Sequence, residues 1–137
     1  MRDQLLVELC ANGRLSEYRE ILEAIISSIR KSNCKISCKY NDHVTSIVQS
    51  NENDGRQSHI RISLIKKRER PLHIIWEILH EYGHHLSGKR NEGDSDIDRE
   101  NEVWNNAFVE MKKYFNSKVD FDSFENYKLK CLKTYQD

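Results

Sequence analysis

The sequence is poor in residues that break chains, cross-link them or carry them into a membrane. Its 137 residues include one proline, Pro71, and five glycines, which excludes a collagen-like or Pro/Gly-rich linker chain. Neither sign of charge dominates, since 22 Lys and Arg face 22 Asp and Glu. No global field then draws the chain to nucleic acid or to an anionic membrane, and neither partner is expected. No apolar run approaches the roughly 20 residues that span a bilayer. The first ten residues carry acids and lack the apolar stretch of a secretory leader, so a cytoplasmic location is expected. The four cysteines, Cys10, Cys34, Cys38 and Cys131, are even in number, but Cys34 and Cys38 have neither zinc-knuckle nor thioredoxin spacing. Reduced, buried thiols are expected.

At this length one core can form and two independent ones cannot, so residues 1–137 are read as a single domain. Leu15, Tyr18, Ile21, Leu22, Ile25, Ile26 and Ile29 recur at helical spacing. Three short segments follow, 35–40, 44–49 and 58–65, with alternation or β-branched enrichment and with Asn41-Asp42 and Asn53-Asp54-Gly55 as turn signals. Their short connections predict a small, mostly antiparallel sheet. The basic run Lys66 to Arg70 reads as a solvated loop. Pro71 opens a helix whose apolar stripe comprises Leu72, Ile75, Trp76, Leu79, Gly83 and Leu86, ending near Gly88. Further helices are predicted over 99–115 and 123–135. The fold class is therefore α+β: N-terminal helices, a three-stranded sheet, a central helix and C-terminal helices.

The central helix carries His80-Glu81-Tyr82-Gly83-His84, a His-Glu-x-x-His string. Residues four apart lie on one helical face, so two imidazoles can reach one ion from a rigid backbone. Glu81 is rotated by about 100° from His80 and can flank that ion as a general base. A catalytic zinc takes three protein ligands and leaves a position open to water, which makes peptide-bond hydrolysis in a protein or peptide the expected chemistry. No histidine follows His85, so the third ligand should be a carboxylate on the next helix. Glu100 falls within the arc of Val103, Trp104, Ala107 and Met111, whereas Glu102 points away and is the second choice. An acid on an apolar face is costly unless paired or ligating.

His80, Glu81, Gly83 and His84, followed by Glu100, Val103, Trp104 and Ala107, resemble the zincin superfamily, and more narrowly the ImmA/IrrE-like group of small metallopeptidases. The resemblance covers roughly the second half of the chain. It implies a zincin-like domain, Zn2+ held by His80, His84 and Glu100, and Glu81 as general base. It also implies a sheet edge beside the active-site helix, for which 59–65 is the candidate. Val103 stands where that group has a small residue, and the group's Leu-Leu-x-Pro ending is absent. The alternative is a non-catalytic zinc-binding regulatory or interaction module of phage or mobile-element origin.

The remaining candidates read more simply. His73 is expected at the surface, with a supporting role near the metal as the alternative; His85 is expected in solvent, with the cleft as the alternative; His43 and His59 are expected at the surface. Asp94, Asp96 and Asp98 alternate as in a calcium loop but lack its glycine and its final glutamate, so a helix cap by Asp96 or Asp98 is expected instead.

Overall fold

In a computed structural model of the chain, described over residues 3–49, 57–90 and 92–135, the architecture is α+β. Five α-helices and three strands follow in the order α1 (Gln4–Ala11), a 3-10 turn (Ser16–Tyr18), α2 (Arg19–Lys31), β1 (Cys34–Lys39), β2 (Ser46–Val48), β3 (Ser58–Ser63), α3 (His73–Ser87), α4 (Asp96–Met111) and α5 (Lys118–Lys133).

Local chemistry accounts for most element ends. Asp3 caps α1 by accepting from the Leu5 and Leu6 amides at 3.1 and 3.4 Å, and its carboxylate is paired with Arg30 of α2. The helix predicted from Leu15 begins four residues later because Leu15 is turned inward, fully buried, ahead of the 3-10 turn. Gly88 ends α3 with φ +68, a conformation that favours glycine. At α4 the cap is Ser95, in a reciprocal capping box with Asp98, rather than Asp96 or Asp98 itself.

The sheet corrects the expectation of mostly antiparallel pairing. Its order is β1-β3-β2, and the longer ladder, Cys34–Lys39 against Ser58–Ser63, is parallel; only β2 with β3 is antiparallel. Each connection is short taken alone, yet β1 and β3 are separated by residues 40–57, enough chain for β2 to lie on the far side of β3 and for β1 and β3 to run parallel. The strand read as a substrate-pairing edge is thus the central strand, hydrogen-bonded on both sides, and cannot serve as that edge. Asp42 accepts from the Val44 amide at 3.1 Å, as its turn signal requires; Asn53-Asp54-Gly55 lies outside the described residues.

Ile36, Ile60 and Ile62 bury one face of the sheet, and α2 contributes Leu22, Ile25, Ile26 and Ile29 to the same core. Helix α3 lies between sheet and helices, contacting β3, β2, α4 and α5. It is consequently buried nearly all round from Ile74 to Leu79. The four cysteines form no disulfide. Among the described residues no helix is long and apolar enough to cross a membrane.

Candidate metal centre

Helix α3 presents His80 and His84 on the face turned toward α4, and α4 returns Glu100. The His80 Nε2–H donates to one oxygen of Glu100 at 2.9 Å, and His84 Nε2 lies 3.2 Å from the other. Among the described residues these three form the one group whose donor atoms, all within 4.8 Å of one another, can hold a metal ion. Two imidazole nitrogens and a carboxylate are donor kinds that zinc takes, and each nitrogen already lies near a different oxygen of the same carboxylate, so the set fits that ion in kind.

The helices can meet this closely because of Gly83. A Cβ there would lie 2.5 Å from the Val103 carbonyl oxygen and 3.1 Å from its Cγ1. The C-terminal end of α3 is fixed from two other directions. Gln49, just past β2, donates to the His84 and Gly88 carbonyls at 2.9 and 3.1 Å, and Arg99 donates to Gly88 O at 2.6 Å. A cation at that end also suits the helix dipole. Because Arg99 precedes Glu100, the grip that holds α4 to the end of α3 also delivers the carboxylate.

His80 is held by its ring as well. It lies flat on Trp104, with centroids 4.4 Å apart and planes 14° from parallel, and its Nδ1 is 3.5 Å from Glu81 Oε1. Burial disfavours charge on this imidazole, but the Glu100 and Glu81 carboxylates together outweigh it and raise His80 to about 9. Burial likewise opposes the Glu100 charge, and the two imidazoles overcome it, holding the carboxyl at about 2. A buried carboxylate facing two ring nitrogens is a seat for positive charge.

The other sequence candidates separate clearly. Glu102, the second choice for ligand, is paired with Arg99 at 3.6 Å and stands outside the cluster. His85, expected in solvent, is half-buried: its Nε2–H donates to the Ser32 carbonyl at 2.9 Å and its Nδ1 accepts from Ser58 Oγ at 2.8 Å, pinning α3 to the sheet. His73 is half-buried against Tyr127, with centroids 5.2 Å apart. His59 is half-buried beside Ser37 at 2.7 Å, and His43 is exposed. The acidic loop is organised by protein groups, with Asp96 paired to Arg90 at 2.7 Å and Asp98 in the cap.

One constellation escaped the sequence reading. Arg68, placed in a solvated loop, is buried and forks onto both oxygens of Glu77 at 2.6 and 2.8 Å. Thr45 donates to the same carboxylate at 2.7 Å, and Arg68 also donates to Ser63 O at 2.6 Å. A signal existed: Glu77 is an acid in an apolar helical run, and a buried carboxylate requires a partner. The nearest cations in sequence are Lys66 to Arg70.

No protein-family model matches this chain, and comparison with curated proteins and with solved structures returns no match.

Proposed function

We propose that the chain is a zincin-like, zinc-dependent metallopeptidase that hydrolyses peptide bonds in a protein or peptide, with His80, His84 and Glu100 as metal ligands and Glu81 as general base. The observation that carries the reading is the convergence of two imidazole nitrogens from α3 with both oxygens of one buried carboxylate from α4. Zinc bound there would supply a Lewis acid that activates water and stabilises charge on the scissile carbonyl oxygen.

The protein's own groups do the remaining work. Glu81 follows a ligand directly on the helix and is only partly buried, so it can reach both the donor cluster and solvent. There it accepts a proton from the attacking water and returns it to the departing amine. Trp104 holds the plane of His80, and before an ion binds the two oxygens of Glu100 keep both imidazole nitrogens turned toward one point. Glu81 stands outside the three-donor group, 3.5 Å from the Nδ1 of His80 and partly open to solvent.

The decisive variant is Glu81→Gln, which removes the proton acceptor and none of the ligands. It should retain stoichiometric zinc by elemental analysis while cleavage of a denatured protein substrate falls by about 10²-fold or more. His84→Ala should lose the metal. Wild-type protein that takes up no stoichiometric zinc overturns the proposal; zinc uptake with no cleavage that Glu81→Gln can abolish leaves the non-catalytic module.

A further inference from the structure

At the N-terminal end of α3, away from the metal ligands, the turn after α1 and the loop after β3 enclose a groove of about 440 Å³. Leu64, the exposed Pro71 and the buried Ile74 give its mixed lining an apolar part, its floor. Its rim is cationic, with Arg14 on one wall and Lys66 and Lys67 on the other. The acid in the lining, Glu69, is already paired with Lys130 at 3.3 Å, and Arg68 is spent on Glu77. Lys66 lies 3.7 Å from Glu77 yet stays 40% exposed. Arg14 and Lys67 are exposed and make no ion pair among the described residues.

Arg14 adds a second observation. Its φ is +58, a left-handed conformation that disfavours a non-glycine residue. Glycine or asparagine would sit there more cheaply, whereas arginine projects a charge over the groove.

From these features we infer that the groove is a docking site for an acidic polypeptide segment carrying an apolar side chain. The rim supplies charge complementarity for carboxylates and the floor supplies burial for one aliphatic or aromatic residue. A bare phosphate or a nucleic acid backbone would use the rim and leave the floor uncovered. Ile74 lies six residues before His80, so groove and ligand cluster are separated by about 9 Å along the helix axis.

The experiment is fluorescence anisotropy with a fluorescein-labelled peptide Asp-Glu-Leu-Glu-Asp-Leu-Glu-Asp, and with the same peptide bearing serine for leucine. The leucine peptide should bind saturably, more weakly as salt rises, and at least about fivefold more tightly than the serine peptide. Arg14→Gly and Lys67→Glu should each weaken binding about fivefold. Glycine suits the left-handed backbone at position 14, so Arg14→Gly should melt no lower than wild type, and lost binding cannot then be ascribed to unfolding. His84→Ala should bind the peptide normally, which separates this inference from the metallopeptidase reading. The inference is overturned by absence of saturable binding below roughly 1 mM, by binding indifferent to both rim variants, by equal affinity for the serine peptide, or by displacement of the peptide by equimolar inorganic phosphate.

Discussion

Substituting Gly83 tests whether the metal centre depends on the contact between α3 and α4. In Gly83→Ala the new Cβ would meet the Val103 carbonyl oxygen at 2.5 Å. Reaching an ordinary contact of about 3.2 Å requires the helices to part locally by about 0.7 Å. Two energies oppose each other: alanine gains about 1 kcal/mol of helix propensity over glycine, while overpacking costs about 1–3 kcal/mol. The net loss should be near 1 kcal/mol, a fall of roughly 4 °C in melting temperature for a domain of this size. Zinc should respond more steeply. Glu100 lies one turn before Val103 on the displaced helix, and ligand distances tolerate only about 0.2 Å of error, so affinity should fall at least about tenfold. Thermal denaturation together with a chelator-competition titration measures both effects. Pairing Gly83→Ala with Val103→Ala should not rescue binding, because the closest obstacle is a main-chain oxygen and not the valine side chain. A Gly83→Ala protein that melts higher than wild type and binds zinc within about twofold of it would refute the claim that this approach builds the site.

Three further outcomes follow from neighbouring features. Glu100→Ala should abolish zinc uptake and Glu102→Ala should leave it unchanged in the same titration, since Glu102 faces Arg99 instead of the imidazoles. Arg68→Met should destabilise the fold by about 3 kcal/mol in urea denaturation by leaving the buried Glu77 charge with only Thr45 and the more distant, half-exposed Lys66, and adding Glu77→Leu should recover much of that loss. Burial pushes Cys34 up to about 11 and Cys38 to about 12, from an ordinary 9.0. Both should alkylate slowly at pH 8 unless the protein is unfolded. Because the folded thiols keep their protons where unfolded ones ionise, the stability they contribute is intact below pH 9 and lost as pH rises from there toward 11–12. Urea midpoints measured from pH 8 upward would check the sign.

The parts of this molecule governed by local periodicity were legible in the sequence, and those governed by pairing across distance were not. The stripe Val103, Trp104, Ala107, Met111 placed Glu100 inside and Glu102 outside, as the structure has them, because a helix turns at a fixed angle whatever it packs against. The strands were found with ends within one or two residues, 35–40 as Cys34–Lys39, 44–49 as Ser46–Val48 and 58–65 as Ser58–Ser63. Their partners were not found, since a parallel ladder between β1 and β3 depends on where residues 40–57 travel and no two-residue period records that. Arg68 and His85 were misplaced for a related reason. Each is polar, so exposure was the simplest expectation, yet each is drawn inward by partners remote in sequence: Glu77 and Thr45 for one, Ser32 and Ser58 for the other.

The division of the three candidate donors between two helices ties the proposed metal centre to the folding of the core. His80 and His84 alone could be presented by an isolated helix, but the third donor arrives only when α4 packs, and α4 packs through Trp104, Ala107 and Met111, all fully buried. The stripe that drives burial therefore also aims the one acid embedded in it. Before an ion binds, the Glu100 charge is met by the two imidazoles it touches; a divalent cation would meet it more fully and clamp α3 to α4 at the contact that Gly83 permits. Binding to the folded state and not to the unfolded chain adds to stability by mass action. The same coupling explains why a carboxylate can stand in an apolar face at all: its desolvation cost is offset by groups that only the completed fold assembles around it.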